Sequence, residues 1–110
     1  MNLSGVPLCF APDHPALAGH FPQQPIVPGV LLLDAALHAI EQAAAHEPSV
    51  LGGTHWHIAQ VKFHRVVRPG EALRLDCREL PAGAGTARAL RIELHALQAL
   101  VLSAAIERRA

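Results

Sequence analysis

The sequence has few aromatic residues, few cysteines and no excess of charge of either sign. Phenylalanine and tryptophan make up only 4% of its 110 residues, tyrosine is absent, and nine basic residues balance nine acidic ones. This neutral balance argues against the basic surface that binds nucleic acid or a charged membrane. The two cysteines, Cys9 and Cys77, match no spacing typical of a metal site or a disulfide framework. They indicate free thiols in a reducing compartment.

The sequence also has no apolar run that predicts a membrane-spanning helix. The stretch from Ile26 to Ile40 is too short, and Pro28, Gly29 and Asp34 interrupt it. The first residues lack both the positive region and the long apolar region of a signal peptide, so none is expected. With 110 residues, 51% of them hydrophobic, the sequence predicts one domain over residues 1–110. Without a signal peptide or a membrane-spanning helix, the expected location is the cytoplasm.

One helical pattern stands out in the first half of the chain. A helix is predicted from Gly29 to His46, ended by Pro48. Because its first three turns are almost wholly apolar, we expect it to be buried all round. A loop over residues 11–28 holds five of the nine prolines and is expected to be ordered, since proline fixes φ. A short strand is predicted before that loop, at Val6 to Phe10. The polar residues of the helix share a single stripe: Asp34, His38, Glu41 and Gln42.

The second half of the chain has the period-two pattern of strands. Apolar and polar residues alternate from His57 to Phe63 and again from Leu73 to Arg78, with a turn at Pro69-Gly70 between them. A further turn is predicted at residues 81–85. The tail, residues 87–109, is ambiguous, because alternation over residues 90–95 fits a strand while the leucine spacing and the alanine content fit a helix.

The fifteen residues from His20 to Asp34, HFPQQPIVPGVLLLD, combine three groups that suit proton transfer beside a carbonyl. His20 is a candidate base, because histidine titrates near neutrality. The backbone N–H groups of Gly29 and Val30 at the helix start can donate to a carbonyl oxygen. Asp34 is expected to be desolvated among leucines, and a desolvated carboxyl group keeps its proton and can act as an acid.

Two blocks of the sequence resemble a known family. The first comprises His20-Phe21-Pro22, Pro25, Pro28-Gly29-Val30-Leu31 and Asp34-Ala35, and the second comprises Val61-Lys62-Phe63, Arg65, Val67 and Pro69-Gly70-Glu71. They resemble the active-site signature, and the strand and turn after the central helix, of the hot-dog-fold 3-hydroxyacyl-[acyl carrier protein] dehydratases. The resemblance implies an α+β, single hot-dog fold: a curved antiparallel sheet of five or six strands wrapped around one central helix. It also implies that the tail forms two antiparallel strands.

The resemblance implies dehydration of a 3-hydroxyacyl thioester. His20 would be the catalytic base and Asp34 the catalytic acid, with Gly29, Val30, Phe21 and His38 binding the substrate. Two departures stand out: Gln23 replaces the usual glycine after the His-Phe-Pro, and His38 replaces a glutamine that commonly hydrogen-bonds the acid. An aspartate at position 34 resembles the branch that can also isomerise, but one residue does not establish isomerase activity.

Partners follow from the same resemblance. The substrate is expected on acyl carrier protein. A docking patch for it is predicted from the residues themselves, because Lys62, Arg65 and Arg68 lie close together with only Glu71 nearby to offset their charge. The alternative is a solvated strand edge with protective charges. A homodimer, or a higher oligomer built from dimers, is expected, with His20 of one chain facing Asp34 of the other. No cofactor is expected, and no metal either, because His55 and His57 share a strand face without an evident third ligand.

Two rival functions stay open from the sequence. An acyl thioesterase of the same fold would direct a carboxylate at water and would not need the His20 block. A catalytically weak subunit would bind acyl carrier protein and pair with an active homologue. The acyl chain length and the pathway, whether fatty acid, polyketide or aryl-polyene synthesis, lie beyond the sequence.

Overall fold

A computed structural model describes residues 2–10, 26–44, 56–81 and 83–109. Within these ranges, five strands form one antiparallel sheet in the order β1-β3-β4-β5-β2. The elements in chain order are β1 (Leu3–Leu8), α1 (Gly29–Ala44), β2 (His57–Phe63), β3 (Leu73–Leu80), β4 (Thr86–Ala96) and β5 (Ala99–Arg109). One helix against one antiparallel sheet is the hot-dog architecture, which confirms the predicted fold class.

One face of α1 packs against the sheet and builds the core. Leu32, Ala36 and Ile40 of the helix are buried in the same cluster as Ile92 and Leu94 of β4. Alternate residues of β4 are buried while those between them are half-buried, as expected for a strand with one face on the core. Packing of this face decides the conformation of the ambiguous tail against its helical propensity.

Most predicted boundaries of the second half are confirmed. The strand from His57 to Phe63 and the turn at Pro69-Gly70 are as expected, and the tail forms β4 and β5. A tight turn at Leu97 and Gln98 joins these two strands, with Leu97 at a φ of 56°.

The first strand differs from its prediction. The alternation favoured Val6 to Phe10, but β1 begins at Leu3 and ends at Leu8. The ladder stops there because Leu8 pairs with Leu73, the first residue of β3. Phe10 lies beyond the strand, where its carbonyl accepts a hydrogen bond from Gly70 N–H at 2.7 Å. The predicted helix end at His46 and most of the proline-rich loop lie outside the described residues.

The helix is not buried all round, which corrects the expectation from its composition. The predicted polar stripe is exposed along its length, and Val30, on the same side of the helix, is 69% exposed. One five-stranded sheet can cover only one face of a helix, so a single chain leaves the opposite face open. No helix within the described ranges is long and apolar enough to cross a membrane.

Candidate active site

A cavity of about 480 Å³ lies at the N-terminus of α1. One wall is formed by residues 26–30 with Leu32, and the other by residues 63–66, where β2 ends. An isolated bridge between Val27 and Val67, with Val27 N–H donating to Val67 O at 2.7 Å, ties the two walls together. The fold therefore places the helix start beside the end of β2.

Two of the predicted substrate-binding residues line this cavity. The carbonyl of Pro28 accepts the first hydrogen bonds of the helix, from Leu31 N–H at 3.0 Å and Leu32 N–H at 3.3 Å. Gly29 and Val30 precede those donors, so their N–H groups have no acceptor within the helix. They lie at the positive end of the helix dipole, which favours an oxygen that gains negative charge.

Phe63 is a cavity residue that the sequence reasoning left unassigned. Its ring lies so close to Gly29 that a Cβ added there would be 2.6 Å from Cε1 and 2.8 Å from Cζ. The ring is nonetheless 51% exposed. The available signal was its place in the Val61-Lys62-Phe63 block, which was assigned only to a strand.

The predicted acid lies on the exposed face of the helix. Asp34 is one turn beyond Val30, and His38 is one turn further, and both are exposed. This differs from the desolvated Asp34 that the leucine-rich context predicted. No hydrogen bond or ion pair joins the Asp34 and His38 side chains, although both residues belong to the described helix. Within one chain, Asp34 does not line the cavity.

The remaining predicted site residues are placed only in part. His20 and Phe21 lie outside the described residues, as does His55 of the pair considered for metal. His57 is exposed on β2, and the described ranges contain no group of three side chains suited to a metal ion. His64, expected at the surface, has an exposed side chain whose Nε2 lies 3.0 Å from the hydroxyl of buried Ser103.

The predicted docking cations surround the end of β2. Lys62, Arg65 and Arg68 are all exposed, and Arg65 also lines the cavity. Glu71 is built into this loop: its carboxylate lies 3.1 Å from the Arg65 guanidinium and accepts a hydrogen bond from Arg68 N–H at 3.0 Å. Part of the positive charge is therefore already neutralised within the chain.

Known proteins resemble this chain in both sequence and fold. A family model described as ApeI-like, the ApeI dehydratase, matches residues 4–95. A 3-hydroxyacyl-[acyl-carrier-protein] dehydratase FabZ from Chloroflexus aggregans is 38% identical over 98 residues, which are 84% of this chain and 68% of that protein. The FabZ from Alkalilimnicola ehrlichii is 42% identical over 69 residues, 58% of this chain and 44% of the relative. The chain thus spans less than half the length of some relatives that it matches.

Solved structures share the fold. A monoamine oxidase regulatory protein from Archaeoglobus fulgius superposes with a TM-score of 0.71 at 19% identity, over 97% of this chain and 86% of the other. The dehydratase heterocomplex ApeI:P from Xenorhabdus doucetiae gives 0.63 at 25% identity, over 94% and 84%. The first likeness concerns the fold alone. Together with the family model and the Chloroflexus relative, these findings show that the chain belongs to the ApeI-like dehydratase family.

Proposed function

We propose that this protein converts a 3-hydroxyacyl thioester, carried on acyl carrier protein, into the trans-2-enoyl thioester and water. The observation that carries the proposal is the cavity at the start of α1, into which the N–H groups of Gly29 and Val30 can donate. Membership of a dehydratase family, and relatives named as 3-hydroxyacyl-[acyl-carrier-protein] dehydratases, support the same reaction.

Each residue has a role that the elimination requires. His20 takes the weakly acidic proton at C2, and the thioester oxygen gains negative charge as the carbanion forms. Gly29 and Val30 N–H groups donate to that oxygen, and such donors typically contribute about 10²- to 10³-fold in rate. Asp34 then gives its proton to the C3 hydroxyl, which leaves as water while the double bond forms.

The exposed Asp34 requires a second subunit in this proposal. β2 forms one edge of the sheet, six of its seven residues are exposed, and its outer side pairs with no described strand. Such an edge is prone to pair with another strand. A homodimer with adjoining sheets would cover this edge and the apolar side chain of Ile58 on it. It would also bring His20 of one chain to Asp34 of the other and remove Asp34 from water.

Light scattering tests the assembly. We expect a particle of about twice the 11.7 kDa chain mass, or a multiple of that dimer. Ile58→Lys, on the exposed edge strand, is expected to weaken association and to reduce activity in parallel. A monomer with full activity would contradict a site shared between chains.

Carrier docking at the end of β2 is part of the proposal. Lys62 and Arg68 stay exposed, and the Arg68 side chain is not the group that Glu71 binds. Lys62 precedes the cavity residue Phe63, and Arg68 shares a neighbouring cleft with Arg65 and Val66, which also line the cavity. An acidic carrier docked there would present its acyl thioester near the cavity.

A weak partner subunit stays the second candidate, because one solved relative is a dehydratase heterocomplex. In that case the exposed edge would pair with an active homologue, and the chain alone would bind carrier without turnover. The thioesterase alternative predicts a free acid as its product.

The deciding experiment follows the products formed from 3-hydroxyacyl thioesters of graded chain length. An enoyl thioester, formed reversibly and lost in His20→Ala, supports the proposal. Release of free acid would support the thioesterase. No turnover by the purified chain, restored when a homologue is added, would support the partner subunit.

A further inference from the structure

We propose that the Phe63 ring is a positioning residue of the site: it forms the apolar wall against which the acyl thioester is held at the start of α1. The inference rests on the proposed function, and it assigns a role to a side chain outside the signature residues His20 and Asp34. Its basis is the contact between the ring and Gly29.

A side chain at position 29 would have to displace the Phe63 ring. A Cβ added to Gly29 would lie 2.6, 2.8 and 2.9 Å from three ring carbons, well inside the normal carbon contact distance of about 3.5–4.0 Å. The backbone conformation does not require a glycine there, because Gly29 is not among the described glycines with positive φ, which are Gly5, Gly70 and Gly85. The absent side chain leaves room for the ring.

Pairing between β2 and β5 fixes the position of the Phe63 backbone. Phe63 pairs with Leu102, which is fully buried, and the next residue, His64, donates its backbone N–H to Val101 O at 2.8 Å. The Phe63 backbone is therefore held against β5. Its ring packs on Gly29 with one part of its surface and remains 51% exposed. A large apolar side chain that stays exposed while lining a cavity is suited to contact a ligand.

The ring's position gives it a specific effect on the reaction. An oxygen bound to the N–H groups of Gly29 and Val30 would lie beside the ring, which keeps water away from those donors. Hydrogen bonds to a developing negative charge are stronger when water is excluded. Loss of the ring should therefore lower kcat more than it changes KM, whereas loss of simple substrate binding would raise KM.

The experiment is a double-mutant cycle between Gly29→Ala and Phe63→Ala, with kcat, KM and melting temperature measured for each variant. In the native background, the added methyl group displaces the ring, and we expect kcat to fall about tenfold and the melting temperature to drop. In the Phe63→Ala background there is no ring to displace, so Gly29→Ala should cause little further loss of either quantity. Additive losses would overturn the proposed contact.

Two further variants separate positioning from packing. Phe63→Leu keeps an apolar wall and should restore most of the kcat lost in Phe63→Ala. Leu97→Ala, which shortens an exposed apolar side chain in the turn between β4 and β5, outside the cavity, should leave both kcat and KM near their native values. A Phe63→Ala protein with native kcat would overturn the positioning role, and so would one whose only defect, by light scattering, is loss of association.

The melting temperatures distinguish this inference from the proposed function. If the native protein, alone or with a homologue, dehydrates no 3-hydroxyacyl thioester, the proposed function fails and the positioning role fails with it. The coupling between positions 29 and 63 in melting temperature would still be present. If the protein is active and that coupling is absent, the contact is wrong while the proposed function stands.

Discussion

Apolar side chains are buried at the centre of the sheet and exposed on the β2 side of the molecule. In β3, β4 and β5, side chains such as Leu75, Ile92 and Leu102 have no exposed surface. On the β2 side, Phe63 is 51% exposed and Val30 on the facing helix is 69% exposed. At the centre, the chain buries its own apolar side chains without a partner. The β2 side is where the chain leaves its apolar surface open, and the candidate site lies there.

This contrast separates residues that specify the fold from residues available for function. A buried leucine makes its packing contacts within the chain. Exposed apolar surface next to helix N–H groups that have no acceptor can be covered only by a ligand or another chain. A substrate and a second subunit are the two occupants that the proposed reaction requires. The predictions below test the two regions separately, in order of decreasing effect.

The largest effect is expected for the two candidate catalytic groups. His20→Ala and Asp34→Ala should each lower the rate of dehydration by about 10²- to 10⁴-fold, the range for general acid–base catalysis. Asp34→Ala should leave the melting temperature of the protein unchanged or higher, because the Asp34 side chain is exposed. Full activity with a lower melting temperature would make Asp34 a structural residue and the mechanism wrong.

A smaller effect is expected from removing packing at the centre. Leu94→Ala should lower the free energy of unfolding by about 2–5 kcal/mol, since Leu94 is fully buried in β4. Leu97→Ala is the matched control, because Leu97 is only three residues away but 84% exposed, and should change the free energy by at most about 0.5 kcal/mol. Chemical denaturation measures both, and equal effects would contradict the contrast between buried and exposed leucines.

The sequence predicted the second half of the fold well because its strands have one buried face. Alternation located β2 to the residue, and it marked the start of β3. The tail needed the family resemblance, because Leu90 and Leu94 satisfy both periods and only pairing with β3 and β5 decides between them. The end of β1 was missed because it depends on where its partner strand begins, which no local pattern records.

The roles of the candidate site residues stay predictions, but the structure shows the environment of those that it describes. Gly29 and Val30 lie where the helix-start reasoning placed them. Asp34 is exposed because apolar neighbours in sequence are not neighbours in space: Leu33 points to the core while Asp34 points away. Phe63 was missed because its contact with Gly29 joins residues of different elements, and local periodicity carries no information on such contacts.

A third prediction concerns the charges at the end of β2. Reversal of both Lys62 and Arg68 to glutamate should raise KM for a carrier-linked substrate about tenfold, equivalent to about 1.4 kcal/mol. Turnover of a short pantetheine analogue should change little, and the reaction with carrier should slow as salt is added. Arg65 is left unchanged in this variant because it pairs with Glu71, so its reversal would disturb the loop as well.

The control for that variant is Arg78→Glu, which reverses an exposed cation of β3 outside the cavity. It should leave KM for the carrier-linked substrate near the native value. An equal rise in KM for Arg78→Glu would mean that binding of the acyl carrier protein depends on the net charge of the whole protein and not on these two residues. Equal losses on both substrate forms would mean that Lys62 and Arg68 support the fold.

The effect that is smallest at neutral pH is the titration of Cys77, a buried residue of β3 that belongs to the closed centre. Burial raises the pKa of the Cys77 thiol to about 11 from its ordinary value of 9.0, because the thiolate is poorly solvated there. Below pH 9 the thiol is neutral in both folded and unfolded chains, so its burial carries no penalty. Between pH 9 and 11 the unfolded chain releases the proton first, and the free energy of unfolding should fall by at most about 1.4 kcal/mol per pH unit.

The measurement is the free energy of unfolding across this pH range. Its slope against pH should be shallower for Cys77→Val, while Cys9→Val, which removes the exposed thiol, should reproduce the native slope. Identical slopes for Cys77→Val and the native protein would mean that the Cys77 thiolate is solvated in the folded state, and that this part of the centre is open to water.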